Sequence, residues 1–299
     1  MNKGSITLLL SALLTASACG EAETLNDGEV RSAQAAGPAK LVELDEPVPQ
    51  PEVELATQAS VATPDSVEGI LAAAAQVESA RPDFYAELNG ARIGKSPNGM
   101  ARFTHLQLAD ADAGVVLAAR MLNPELTVDE RNALADALAR TGGDFGALTA
   151  ALFGQEQDAK VRSTMAMTLR RASSESARVG LVLALADADA QVRADAAHAA
   201  ASHPELEALR APLRNALNDA SSVTRAAAAR ALGVLQDGES AATILTMIND
   251  EDAETRLQAL RALKRIDTGL LAQVNLTALE KDADPRIAKE AAKLGRAAQ

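Results

Sequence analysis

Apolar and polar positions follow a helical rhythm along most of this chain, with a longer period laid over it. From about residue 112 onward, apolar residues recur three and four apart, the spacing that puts them on one face of a helix. The segments AGVVLAARML, FGALTAALFG, ARVGLVLALAD, LEALRAPLRNALN, AATILTMIN and LLAQVNLTALE each lead into a short polar turn, and a second apolar-faced segment follows. Gly142-Gly143, Pro204, Asp237-Gly238 and Asp267-Thr268-Gly269 punctuate the gaps between units. Each unit therefore reads as two short antiparallel helices joined by a tight turn.

The second helices keep a register. Arginines fall at 131, 162, 193, 225, 256 and 286, at intervals of 31, 31, 32, 31 and 30. A fixed period near thirty marks a solenoid, in which a unit cannot bury its apolar face alone and stacked neighbours form one core. Four residues before the arginines stand Thr127, Asp158, Asp189, Ser221, Asp252 and Asp282, all side chains suited to cap a helix, and all six are read as N-caps. Three residues after come Leu134, Met165, Ala196, Ala228, Ala259 and Lys289, and seven after come Leu138, Leu169, Ala200, Leu232, Leu263 and Lys293. That face is apolar in five of the six units. The two lysines and Pro285 give the last unit the polar outer face of a terminal repeat.

The stretch APLRNALNDASSVTRAAAARALGVLQDGE, residues 211 to 239, resembles the HEAT repeat, with Pro212 in its first helix, Asp219 in the turn, Val223-x-Arg225 and Ala231-Leu232-Gly233. The short form near 31 residues is the variety frequent in bacterial scaffold proteins. The resemblance covers roughly 112 to 299, is strongest over 144 to 265, and implies a right-handed all-α solenoid of about six antiparallel helix pairs.

An arginine in the first turn of a helix opposes the helix dipole and calls for a carboxylate nearby. The aspartates Asp158, Asp189, Asp252 and Asp282 supply one within the unit, and stacking lets each arginine reach its neighbour's turn as well. Arg131, Arg162, Arg193, Arg225, Arg256 and Arg286 are thus expected to form a structural ladder, with a row that binds phosphate or carboxylate as the competing reading.

Composition adds an address. Hydrophobic residues make up 47% of the 299, yet there are one Tyr, four Phe and no Trp, so the core must rest on many small contacts. The start, MNKGSITLLLSALLTASACG, has a cation at Lys3, an apolar run from Ile6 to Leu14 and then small residues, the layout of an export signal over 1–18. Ala16-Ser17-Ala18 before Cys19, the one cysteine, resembles the lipobox of bacterial lipoproteins, although Ala16 stands where leucine is more usual. That resemblance implies cleavage before Cys19 and a lipid on it, which anchors the chain to the cell envelope. Gly20 in place of a retention aspartate points to the outer membrane. A single cysteine excludes disulfides within the chain.

Residues 19–65 read as an unfolded acidic tether. Ten carboxylates against Arg31 and Lys40 leave −8 there, so with the +1 of Lys3 the remainder carries −5 of the formal −12. A mildly negative body argues against nucleic acid as a partner.

Catalytic or metal-binding chemistry finds little to build on. His198 and His203 lie five apart, lack a suitably placed glutamate, and with His105 are expected to be surface imidazoles. The acidic turns 187–190, 249–254 and 281–285 lack the glycine and distant glutamate of a calcium loop. No phosphate loop, nucleophile elbow or Cys/His set occurs, so no enzyme activity and no cofactor is expected.

Residues 66–111 break the repeat. SVEGILAAAAQVESA reads as a capped helix, whereas Asn89-Gly90 between alternating residues and Pro97-Asn98-Gly99 after it signal a small β-hairpin element. One reading is a cap that seals the first repeat with Phe84, Tyr85 and Phe103. The other is a small-ligand-binding or enzymatic site in residues 81–110, using Tyr85, Arg92, Lys95, Arg102 and His105. The alternative place for a site is the concave face of the second helices, with Ser163, Arg170, Asp195, His198 and Arg261 exposed to a protein or peptide partner.

Overall fold

A computed structural model describes residues 64–91 and 108–297. Cys19 and almost all of the tether lie outside the described residues, as do Arg92, Lys95, Arg102 and His105. Among the described residues two helices, α1 (Val67–Ala80) and α2 (Pro82–Gly90), precede six helix pairs. The pairs are α3 (Ala111–Met121) with α4 (Val128–Leu138), α5 (Phe145–Phe153) with α6 (Ala159–Thr168), and α7 (Ser174–Leu185) with α8 (Ala190–Ala200). They continue as α9 (Arg210–Ala216) with α10 (Ser222–Val234), α11 (Ala241–Thr246) with α12 (Ala253–Ile266), and α13 (Leu276–Leu279) with α14 (Pro285–Ala297). There is no strand among the described residues. The fold is an all-α solenoid of helix pairs.

Each second helix packs on the second helices of the adjoining units, α4 on α6, α6 on α8, α8 on α10, α10 on α12 and α12 on α14. One buried apolar cluster consequently runs from Ile70 to Leu294. Counted from the N-cap, the buried positions recur at three, seven, ten and eleven: Val192, Ala196, Ala199 and Ala200 in α8, then Thr224, Ala228, Ala231 and Leu232 in α10. The two threonines that replace valine at the third position stay satisfied by donating across the interface. Thr224 reaches the Ala190 carbonyl at 3.1 Å and Thr255 the Ser222 carbonyl at 3.3 Å.

Alanine at so many contact positions lets backbones approach closely. The tightest place is Gly233 in α10, where an added Cβ would stand 2.6 Å from the Cα of Ala262 in α12. The end of α10 is set by Gln236, which takes the left-handed conformation at φ 51° rather than leaving the reversal to Gly238. Its neighbour Asp237 donates its amide to the Leu232 carbonyl at 3.0 Å, closing the helix end.

Two expectations need correction. Asn89 and Gly90 end α2 instead of turning a hairpin, because Pro82 starts a helix whose Leu88 drops into a small cluster with Val77, Ala113 and Val116. In the last unit the cap is Asp284, not Asp282. Asp284 accepts the amide of Arg286 at 2.8 Å, two residues later in register than the arginine spacing indicates. Counted from Asp284, Ile287, Ala291 and Leu294 fill the third, seventh and tenth positions and are buried. Lys289 and Lys293 are exposed and were never core positions.

Replacing Leu232, which is fully buried, with alanine is expected to cost about 2–5 kcal/mol in chemical denaturation. Glycine to alanine inside a helix ordinarily stabilises by about 1 kcal/mol. Gly233→Ala is expected to do the reverse, since backbone atoms of α12 occupy the space; a stabilised variant would disprove the close approach of α10 and α12.

Candidate functional site

The turns between paired helices carry the most regular electrostatic feature of the molecule. The guanidinium of each ladder arginine binds a carboxylate 25 or 26 residues further on, in the next unit's turn: Arg131 with Glu156, Arg162 with Asp187, Arg193 with Asp219, Arg225 with Asp250 and Arg256 with Asp282. The pairs are bidentate, as in Arg193, whose Nε and Nη2 donate to the two oxygens of Asp219 at 2.7 and 2.8 Å. The remaining Nη1 of Arg193 donates to the Asp187 and Ala188 carbonyls of its own turn at 2.8 and 2.9 Å. Arg162, Arg225 and Arg256 do the same in theirs. Each carboxylate also accepts the amide of the cap residue two places on, at 2.8–2.9 Å.

The cap aspartates are therefore not the arginines' partners. Asp158, Asp189 and Asp252 each accept first-turn amides, while Ser221 occupies the cap position without a side-chain bond and Thr127 makes a reciprocal pair with Glu130. Asp282, expected as a cap, is instead the terminal carboxylate of the ladder. Arg286, expected as a rung, sits in the second position of its helix and pairs with Asp284 and Glu254, both at 2.7 Å. The true rungs are only 13–19% exposed, whereas Arg286 is 55% exposed.

Arginine hydrogen bonds hold the Asp219, Asp250 and Asp282 carboxyls below their ordinary range. At Asp187 burial pushes upward, but the bonds from Arg162 and the Asp189 amide outweigh it. Other arginines, which no repeat pattern flags, bind structure together in the same way. Arg210 and Arg214 converge on Asp237, a carboxylate 3% exposed. Arg120 ties α3 to α2 through the Leu88 and Ala91 carbonyls at 2.7 and 2.6 Å. Arg81 joins Asp110 at 2.7 Å and Asp112 at 3.0 Å, with its guanidinium 3.9 Å above the Phe84 ring.

Tyr85 packs against the core, so its ring contributes to sealing the first pair. His203 is not a surface imidazole. It is 4% exposed, its Nε2 lies 3.0 Å from the Leu169 carbonyl and its Nδ1 3.7 Å from Glu205, because the turn after α8 packs on the 3-10 helical turn Leu169–Arg171 that follows α6. His198 is half-buried on the second-helix face. Burial first, and the Arg230 guanidinium second, hold its ring below the usual imidazole range. Among the described residues no group of His, Cys, Asp or Glu is placed to hold a metal ion, and no helix is long and apolar enough to cross a membrane.

Outside the turns, the second helices also carry polar side chains that border grooves between units. A groove of about 260 Å³ between α4 and α6 includes Asp136, Ser163, Thr164, Arg170 and Arg171. Here the carboxylate of Asp136 is shared by Arg140 and, at 3.9 Å, Arg171, while Ser163 donates to Asp195 of the next unit. A larger groove of about 460 Å³ lies between α10 and α12, bordered by His198, Arg230, Arg261 and Arg265. The first-helix side differs: α7 presents Val179, Val182 and Leu183 outward, each between 37% and 46% exposed.

A family model for HEAT repeats matches residues 210–294, the span from α9 into α14. Members of that family generally serve as helical scaffolds for protein–protein interaction. No curated protein matches the chain.

Arg193→Ala is expected to lower stability by about 1–3 kcal/mol, since it removes largely buried charge-assisted bonds and strands Asp219. Arg286→Ala should leave the denaturation midpoint unchanged. A carboxyl held below its unfolded value contributes stability above that value and loses it as pH falls through the folded one. The wild-type midpoint should therefore be flat from neutrality down to about pH 4 and drop below it. The gap between wild type and Arg193→Ala should narrow over the same acidic range; a gap independent of pH would refute the role given to Asp219.

Proposed function

We propose that the protein is a membrane-tethered scaffold that captures a protein partner on the outward side of its second helices. In this reading acyl chains on Cys19 hold the chain at the bacterial cell envelope, at the outer membrane, and residues 19–65 space the helical body from the surface. Support for the anchor comes from the apolar run, the small residues and the lone cysteine at the end of them. Support for partner binding comes from one observation: the turn charges are consumed by the ladder, while the guanidiniums of exposed Arg170, Arg230 and Arg265 on the second-helix side make no hydrogen bond or ion pair among the described residues.

A stack of small repeats offers a long continuous surface in which successive units present equivalent side chains about one helix spacing apart. That arrangement suits a protein or peptide better than a small molecule. Binding on it requires no cofactor.

Cross-linking in intact cells, followed by purification of the chain and mass spectrometry, tests both halves. Cys19→Ala is expected to move the chain from the membrane to the soluble fraction. The combined charge reversal Arg170→Glu, Arg230→Glu and Arg261→Glu is expected to abolish partner cross-linking with the helical circular dichroism and the melting midpoint retained. Full cross-linking by that triple variant would remove the scaffold reading, and retention of Cys19→Ala in the membrane would remove the lipid anchor.

A further inference from the structure

Side chains nine residues after each cap form a row that crosses the second helices: Asp136, Met167, His198, Arg230, Arg261 and Lys293. Two places after each cap lies another row, and there neighbouring units neutralise each other, as in Lys160 with Asp129 at 3.2 Å and Arg286 with Glu254 at 2.7 Å. The nine-residue row does not. In its C-terminal half Arg230, Arg261 and Lys293 follow one another with no acid in the row, and stacked like charges work against the folded state.

The groove between α10 and α12 collects this imbalance. Arg230, Arg261 and Arg265 all border it, and none of the three guanidiniums has a hydrogen-bond or ion-pair partner among the described residues. Carboxylates are present but engaged. Glu254 is held by Arg286 and by Gln258 at 2.6 Å, and Asp252 caps α12 through the Thr255 amide at 2.8 Å. The floor is apolar, made by Ala226 and Ala227, and Val223 stands at the rim with half of its surface exposed.

We propose that this groove binds a carboxylate-rich peptide segment of a protein partner, with Arg230, Arg261 and Arg265 pairing its acids and the Val223–Ala226–Ala227 surface covering an apolar side chain between them. The inference rests on the scaffold reading above and names the chemistry of the partner at one place on the face. Unpaired guanidiniums present forked donors that match carboxylates two bonds at a time, and their mutual repulsion is relieved when anions enter. A nucleic-acid strand is disfavoured at the same site. The groove has no aromatic ring on which a base would stack.

Fluorescence anisotropy on the full chain provides the test, using a labelled ten-residue peptide of alternating glutamate and leucine, its lysine–leucine counterpart, and a single-stranded oligonucleotide of equal charge. The glutamate peptide is expected to bind, more weakly as salt is raised, and the lysine peptide not at all. Arg230→Ala with Arg261→Ala should weaken the glutamate peptide by roughly tenfold or more, as the loss of charge-assisted contacts implies. The same double variant should melt at the wild-type temperature or above it, whereas a merely structural role for these arginines predicts a lower one. Equal peptide affinity in wild type and variant, or tighter binding of the oligonucleotide than of the peptide, would overturn the proposal. In cells, partner cross-linking that survives the double alanine variant but is lost in the triple charge reversal refutes the groove and leaves the scaffold standing. Cross-linking that survives both refutes both.

Discussion

The bidentate pair between an arginine in one turn and a carboxylate in the next is the interaction on which the regular stack depends. Each carboxylate before the terminal Asp282 has three duties at once: it accepts the preceding unit's guanidinium, accepts its own cap amide, and belongs to a residue whose carbonyl receives the next guanidinium. The chain Arg162, Asp187, Arg193, Asp219, Arg225, Asp250, Arg256, Asp282 therefore hands hydrogen bonds from unit to unit without a gap. Because both partners are mostly screened from water, these contacts are stronger than ordinary surface ion pairs.

That ladder and the alanine-rich core constrain one another. A guanidinium spans from its own turn to the next only if adjacent second helices lie close, and they lie close because residues such as Ala196, Ala228, Gly233 and Ala262 fill the contact positions. Larger side chains there would widen the spacing and pull the rungs apart. The scarcity of aromatic rings is thus a requirement of the ladder's geometry, and the few rings near the N-terminal end, Phe84 and Tyr85, pack where the stack has to be closed.

The division of labour between charges follows from the same geometry. Turn charges are neutralised internally, and several charges on the second-helix side also find partners, as Asp136 does with Arg140. Against that background three guanidiniums without a partner among the described residues border one groove. They lie within the span matched by the HEAT-repeat family, whose members generally bind other proteins.

The sequence by itself determined what depends on neighbours within a helical turn or two. Apolar spacing, the capping side chains Thr127, Asp158, Asp189 and Asp252, and the near-31 period were all legible, and with them the all-α stack of helix pairs, whereas Ser221 holds the cap position without the side-chain bond expected of it. Tertiary structure alone decided the pairing of each arginine, because a contact 25 residues away depends on how units stack and several acids lie within reach in sequence. It also decided the two-residue shift that makes Asp284 the last cap and Asp282 the last rung, since both aspartates obey the same local rule and only the burial of Ile287, Ala291 and Leu294 separates them. His203 turned inward, and Arg230, Arg261 and Arg265 met at one groove, for the same reason: a linear pattern records which residues are polar, and packing determines which of them are left without a partner.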